Sequence, residues 1–329
     1  MLYRNFCAMN FRRGFSFPFS FYLWSAVVCC VGTSALGAPA KKKHHRKESS
    51  PPPFEAVRAL PVDSARTSPE PARSLPVNEP PARTSGEVPS TAAASVIVID
   101  ARSGAVLYEK NADAQRAAAS TQKLLTSLII VERGFLDQIV TVMPGDTNAE
   151  PTKLNIKPGE TYRRIDLLRA LLVKSPNDVA RCLARDSAGS LEAFAELMNQ
   201  RARELGANSS HFINPNGLPL PGQYSTARDL SVIARAAYAN PTIRSIVSLP
   251  KIVFRYSDGR TRELENTNKV LRRLSYCNGM KTGYTEAAGH CLISSATRPG
   301  RDVIAVVLGD GKPRIWTDSA ALLSWALWM

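Results

Sequence analysis

The sequence predicts an α/β chain of the α+β type: a mostly antiparallel sheet built from both chain ends, flanked by helices, with a mainly helical subdomain inserted between them. Three observations predict it. A strand–turn–strand pattern, Ser95–Asp100 and Ala105–Lys110 around the turn at Ala101–Gly104, opens the patterned region. Strand-like apolar runs return near the other end, at 279–282, 291–296 and 303–308. The block between them, 112–247, carries mostly helical periodicity.

The chain has 329 residues, 44% hydrophobic and 21% charged, enough for a sizeable core. Residues 1–37 are not part of that core. Arg4, Arg12 and Arg13 precede an apolar run from Phe15 to Leu36, and Ala35 and Gly37 offer a small-residue cleavage site. A signal peptide and export are expected. The run is also long enough to stay as a membrane anchor, and the basic cluster Lys41, Lys42, Lys43, Arg46 and Lys47 beyond it resists translocation. Residues 38–92, rich in Pro, Ser, Ala and Arg, read as a disordered linker with too little apolar material for a core. Its basic cluster suits an anionic membrane or wall polymer, or else is a solvated spacer. Residues 93–329 form the folded domain.

The net charge is +14. Through residue 92 there are 12 Lys and Arg against 6 Asp and Glu, and from 93 onward 30 against 22. The domain is basic but not extreme. It shows no basic-and-aromatic signature, and export argues against a nucleic-acid partner. Three of the six cysteines lie beyond the leader: Cys182, Cys277 and Cys291. They make no disulfide framework. A turn near Tyr284–Ala287 would set Cys291 opposite about Met280 and leave Cys277 out of register, so free buried thiols are expected. No Cys/His spacing suggests a metal site.

In chain order, the hairpin comes first, then a buried core helix over Lys123–Glu132 with Ser120 in its first turn. Residues 134–163 are mixed and loop-rich. Ile165–Val173 reads as a buried helix that stops at Lys174-Ser175-Pro176-Asn177, because proline disfavours helix at the residue before it. Helix resumes over Asp178–Ala184. Ser190–Leu205 is amphipathic, with Leu191, Phe194, Leu197 and Met198 on one face. Asn214-Pro215-Asn216-Gly217 is a tight loop, and Ser225–Asp229 caps a helix reaching about Tyr238. A strand at Lys251–Tyr256 precedes the three late strands, and Ile315–Trp328 is a closing helix.

The chemistry gathers at Ser120-Thr121-Gln122-Lys123. Residues three apart share a helix face, so the Lys123 amine can reach the Ser120 oxygen. A serine with a lysine in reach can be a nucleophile with its own base. The lysine helps only when neutral, which requires burial or a second cation nearby. Alone, Ser-x-x-Lys also fits a capped helix with a surface lysine. Two further motifs follow in order: Ser175-x-Asn177 at a helix break and Lys281-Thr282-Gly283 at a strand. The trio, with a serine nucleophile, is that of penicillin-binding proteins and class A β-lactamases.

Residues 93–329 resemble the D-alanyl-D-alanine carboxypeptidases. The resemblance is carried by those motifs and by Val96–Asp100 with Gly104 and Leu107-Tyr108, by Leu168–Ser175, by Asn214-Pro-Asn-Gly217-Leu218, by Asn266-Thr-Asn-Lys269 and by Gly279–Gly289. It implies a β-lactamase/transpeptidase-like fold. It implies that Ser120 is the acylated nucleophile and that Lys123 takes its proton. Ser175 would relay protons to the leaving amine, and Asn177 would orient Lys123 and substrate. Lys281 would be the second cation, lowering the Lys123 pKa and attracting the substrate's terminal carboxylate. Thr282 would hydrogen-bond that carboxylate, Gly283 would allow close approach, and the N–H groups of Ser120 and Tyr284 would form the oxyanion hole. Arg272 and Arg273 lie near in sequence to assist Lys281, or else are solvated.

The resemblance further implies an exported serine D,D-peptidase that trims peptidoglycan stem peptides, is inhibited by β-lactams, and needs no cofactor or metal. A D,D-endopeptidase of peptidoglycan cross-links uses the same site. A class A β-lactamase adds a deacylating glutamate after Ser-x-Asn. Here Glu150-Pro-Thr-Lys-Leu-Asn155 precedes Ser175 and has one residue too many, so it reads as coincidence. Many exported relatives carry a second β-rich domain. Only 46 residues follow Gly283, all used by the last strands and helix, so none is expected here. A non-enzyme reading, a wall-binding protein working through its basic linker, requires the whole motif set to be vestigial.

Overall fold

A computed structural model describes residues 86–329. The expected leader or anchor, 1–37, and the linker up to residue 85 lie outside the described residues. The opening hairpin is β1 (Ser95–Asp100) and β2 (Val106–Lys110). Helix α1 (Lys123–Arg133) follows, then a small ribbon of β3 (Ile139–Thr141) and β4 (Thr161–Arg163). The helical block continues with α2 (Arg164–Lys174), α3 (Asn177–Ala188), α4 (Leu191–Leu205), α5 (Ala227–Ala239) and α6 (Pro241–Val247). A second ribbon pairs β5 (Lys251–Arg255) with β6 (Thr261–Glu265). The chain closes with β7 (Cys277–Thr285), β8 (Gly289–Arg298), β9 (Arg301–Asp310) and α7 (Arg314–Trp328).

The main sheet has the order β2-β1-β9-β8-β7, and every pairing in it is antiparallel. The first and last strands meet along their whole length, from Ser95 opposite Leu308 to Asp100 opposite Val303. That contact joins the two chain ends, as the sequence predicts. Side chains alternate across a strand. Val96, Val98, Val303, Ala305 and Val307 therefore meet Leu322, Leu323 and Leu327 of α7. Ile97, Ile99, Ile304, Val306 and Leu308 face the helical block. Both faces are covered, which is why these strands read as nearly continuous apolar runs.

Helix α5 lies across β1 and β9 on the second face, and α1 contacts α2, α3, α4, α5 and α6. A helix surrounded by helices must be apolar all round. Leu124, Leu125, Leu128 and Ile130 are all buried. The break after α2 falls where Pro176 predicts it. Ser175 ends that helix in the left-handed region, at φ 68°, and Asn177 begins α3. Ser190 and Thr226 cap α4 and α5 by accepting from the N–H groups of Ala193 and Asp229.

Three expectations change. The ribbon β5–β6 had only its first strand visible in the sequence, because Leu264 is the one buried residue of Thr261–Glu265. The three-residue strands β3 and β4 are too short to show a period. The β7–β8 pairing runs on to Thr285 opposite Gly289, so the turn lies later than expected. Cys291 consequently faces Gly283 rather than Met280, and Cys277 faces Ala296. All three thiols are free and buried, as predicted.

Phe194 in α4 is fully buried against the helical core. Phe194→Ala should lower unfolding free energy by about 3–5 kcal/mol through lost burial and the cavity left behind. Denaturant titration with an unchanged m-value would check it.

Candidate active site

The position of Ser120 begins with a backbone irregularity. Ala119 has φ 48°, and Ala119–Gln122 forms a 3-10 turn ahead of α1. Ser120 is therefore not in the first turn of the α-helix but just before it. In a 3-10 turn, side chains three apart eclipse each other. The spacing of Ser120 and Lys123 thus sets them one above the other, and Lys123 Nζ lies 2.7 Å from Ser120 Oγ. A left-handed non-glycine residue costs on the order of 1–3 kcal/mol and persists only where its surroundings enforce it.

Two glycines do the enforcing. Gly217 has φ 84°, and a Cβ there would lie 2.1 Å from Ala119 O and 2.9 Å from Ser120 N. A Cβ on Gly283 would lie 2.8 Å from Ser120 N and 2.9 Å from Ala119 Cβ. The Ala119–Ser120 backbone is held between the Asn214–Gly217 loop and strand β7, with room for no side chain on either.

The Asn214–Leu218 loop is made rigid by its own side chains. Asn214 Oδ1 accepts from the N–H groups of Asn216 and Gly217, and Asn216 Oδ1 accepts from Leu218 N. Gln122 and Thr126 donate to Asn214 O and Pro215 O, tying the loop to α1. The freed Asn216 carbonyl accepts from Lys123 Nζ at 2.7 Å and from Ser120 Oγ at 3.2 Å. The amine also donates to Asn177 Oδ1 at 2.7 Å. Asn177 Nδ2 donates to Glu150 O and Pro151 O, which fixes which way its amide points. The loop supplying those carbonyls is pinned by buried Asp178, whose carboxylate accepts from Leu154 N and Asn155 N.

Lys123 is fully buried. Its pKa is held well below the usual lysine range, first by burial and then by the charge of Lys281, with Asp178 pulling the other way. Both of the causes that could supply the lowering are present, and burial is the larger. Lys281 is buried too, donates to Thr282 O, and burial pushes its amine down to about 7.

A cleft of about 440 Å³ opens over this network. Ser120, Ser175, Asn177, Thr282, Gly283 and Tyr284 line it, while Lys123 and Lys281 lie buried beneath. All eight residues singled out in the sequence therefore converge on one place. Ser175 Oγ is buried without a hydrogen-bond partner among the described residues. Thr282 Oγ1 meets Thr267 Oγ1 at 2.7 Å. Tyr284 is 58% exposed and stacks on His290, and both line the cleft. Strand β7 is an edge strand, which leaves one side of its backbone unpaired beside Ser120.

Sequence reasoning assigned no role to Asn216, Gly217, Thr267 or Asp178. The Asn-rich segments 214–218 and 266–269 were visible as motifs, and Asx turns are their signal. The second anchors β7: Asn268 Nδ2 donates to Gly279 O, and Thr267 N donates to Val173 O at the end of α2. Neither Arg272 nor Arg273 lines the cleft, and Arg272 pairs with Glu265 at the surface. The cleft's lining cations are Lys174, Lys269 and Lys312. The Glu150 side chain is exposed and does not line it.

Fold and site together set a serine hydroxyl on a cleft within hydrogen-bond reach of a buried lysine, the arrangement of a serine hydrolase. The D-alanyl-D-alanine carboxypeptidase family profile matches residues 82–312. The chain is 37% identical over 262 residues to the D-alanyl-D-alanine carboxypeptidase DacB2 of Mycobacterium tuberculosis, covering 78% of this chain and 86% of that one. It is 30% identical over 249 residues to the D-alanyl-D-alanine endopeptidase of Escherichia coli, covering 74% and 80%. The crystal structure of a D-alanyl-D-alanine carboxypeptidase from Mycobacterium tuberculosis superposes with a TM-score of 0.69 at 36% identity, covering 73% of this chain and 92% of that one. The chain belongs to the D-alanyl-D-alanine carboxypeptidase family of serine peptidases.

Gly217→Ala should cut acylation at least a hundredfold, because relieving a 2.1 Å contact must displace Ala119 and Ser120. The burst rate of acylation in a variant that still unfolds cooperatively would check it. A second expectation concerns pH. Only neutral Lys123 can accept a proton, so acylation should rise with pH on the acid side. Lys281 loses its proton above about 7, so affinity for a carboxylate-bearing ligand should fall on the alkaline side. In Lys281→Met the alkaline fall should vanish and the acid limb should move to higher pH, because a cation near Lys123 is gone. The pH profile of kcat/KM reads both.

Proposed function

We propose that the chain is an exported, penicillin-sensitive carboxypeptidase that removes the terminal D-alanine from peptidoglycan stem peptides through an acyl-enzyme on Ser120. The observation that carries this reading is the Ser120–Lys123–Asn177 contact set, 2.7 Å at each step, inside a cleft bounded by Thr282 and Gly283.

The residues take the following parts. The peptide lies along the open edge of β7, where main-chain groups can pair with it. Its terminal carboxylate meets Thr282 Oγ1 and the charge of Lys281. Neutral Lys123 accepts the Ser120 proton as Oγ attacks the D-Ala-D-Ala carbonyl. The developing oxyanion sits on the N–H groups of Ser120 and Tyr284, each donor typically worth about 3–4 kcal/mol in acyl transfer. Ser175, unpartnered in the free site, passes the proton to the leaving D-alanine amine. Water then releases the trimmed peptide. Among the described residues no glutamate lines the cleft to activate that water, which supports slow release of a penicillin acyl group and so a penicillin target.

The amino-terminal segment would deliver the domain to the wall space, cleaved as a signal peptide or retained as an anchor. The linker's basic cluster would keep it near an anionic membrane or wall polymer. Similarity to the Escherichia coli endopeptidase supports a second reading of the same site, in which the acyl group comes from a cross-link between two stem peptides. A dimeric cross-linked muropeptide offered beside a pentapeptide separates the two.

The direct test is intact-mass spectrometry of the full chain with benzylpenicillin, followed over hours, with Ser120→Ala alongside. A long-lived adduct present only in the unmutated chain is expected, together with D-alanine release from a pentapeptide. Rapid drug hydrolysis without a lasting adduct would identify a β-lactamase. D-alanine release by Ser120→Ala would sink the proposal.

A further inference from the structure

A second concave region lies far from the nucleophile, and the peptidase reaction makes no use of it. A cavity of about 560 Å³ and another of about 470 Å³ share Arg102, Tyr238, Arg244 and Asp302 among their linings. Arg235 extends the first and Arg298 the second. The two thus form one groove across the start of β7, the β8–β9 turn and the carboxyl ends of α4 and α5. Asn278 on its floor is five residues along β7 from Gly283, roughly 17 Å at about 3.3 Å per residue.

The groove's charge is one-sided. It holds four guanidinium groups and one carboxylate, Asp302. That carboxylate is already committed. It accepts from Tyr238 OH and from Thr297 Oγ1, and Arg102 lies 3.6 Å away. Arg235, Arg244 and Arg298 have no carboxylate partner among the described residues. Their geometry is nevertheless set in advance. Arg244 lies over the Tyr238 ring at 5.5 Å and Arg298 over the Trp328 ring at 5.1 Å. Arg235 donates to Ala101 O and Arg102 O, and Arg298 to Leu327 O. The floor is stiffened by a polar chain: Ser295 Oγ donates to Asn278 Oδ1, and Asn278 Nδ2 donates to Tyr238 OH.

Uncompensated, preorganised guanidinium groups in a groove match the planar, bidentate chemistry of phosphate. Their holding contacts reduce the ordering cost of binding. The shape decides between phosphate sources. A run of cations along a concavity fits a flexible chain of phosphate groups, whereas a bilayer surface meets a flat or protruding face.

The geometry points to a phosphodiester-polymer docking groove on this domain, lined by Arg102, Arg235, Arg244 and Arg298. It holds the catalytic domain on an anionic wall polymer while leaving the Ser120 cleft open at the other end of β7. This grip is separate from any contribution of the basic segment 41–47, and it would hold whatever peptide the cleft prefers.

The test is titration calorimetry of the full chain with a poly(glycerol phosphate) at low salt, beside phosphatidylglycerol vesicles. The variant carries Arg244→Gln with Arg298→Gln, and Arg244→Gln alone is the milder one. Polymer affinity is expected to weaken at least tenfold in the double variant and partially in the single one, and to fall with added salt. The rate of Ser120 acylation by benzylpenicillin should stay unchanged, showing that the variants are folded. The amino-terminal segment is the same in all proteins, so its contribution cancels. Equal polymer affinity in the unmutated chain and the double variant would overturn the assignment. So would absence of polymer binding, or vesicle binding lost in the variant without any polymer binding, which would make the face a membrane contact.

Discussion

The site depends on one buried amine whose surroundings lower its hold on a proton. Lys123 donates to Ser120 Oγ, Asn177 Oδ1 and Asn216 O, and all three distances are 2.7 Å. Three acceptors satisfy three donors, so hydrogen bonding alone would favour the cation. Burial and the neighbouring Lys281 oppose it. The net effect is a pKa below the usual lysine range, and each acceptor is delivered by a different part of the chain.

Delivery explains much of the architecture. Asn177 comes from the break between α2 and α3, and its amide is fixed by backbone carbonyls of Glu150 and Pro151. Asn216 comes from a loop folded on its own Asn side chains. Lys281 and Gly283 come from β7, held in place by the Asn266–Lys269 segment and by β8. The strained turn at Ala119–Ser120 fits between two glycines. Each constraint is met by a short loop resting on a rigid element, so the sheet that joins the chain ends and the central helix α1 position the chemistry without taking part in it. The groove at the other end of β7 shows the same economy, with arginines held by carbonyls and aromatic rings rather than by carboxylates.

The sequence carried the fold class because the main strands are covered on both faces and α1 is wrapped by helices, so their apolar runs are long and unambiguous. It carried seven of the eight proposed site residues because Ser-x-x-Lys, Ser-x-Asn and Lys-Thr-Gly put reactive side chains at local spacings, and the eighth, Tyr284, came from the family resemblance. It lost β3, β4 and β6, short strands where a single buried residue such as Leu264 sets no period. It also misplaced the β7–β8 turn, since a hairpin's register is fixed by the turn type and loop length, which composition does not specify.

What the sequence determined by itself is therefore local: which segments bury apolar faces, where Pro176 stops a helix, and that Ser120 and Lys123 share one side of a turn. Tertiary structure alone decided that the turn is 3-10 and strained, that the Asn216 carbonyl completes the lysine's shell, that Arg272 and Arg273 point elsewhere, and that two cavities merge into a basic groove. Those outcomes rest on contacts between residues far apart in the chain. Their energies depend on burial and on which backbone groups are left unpaired, and neither is written in the spacing of side chains.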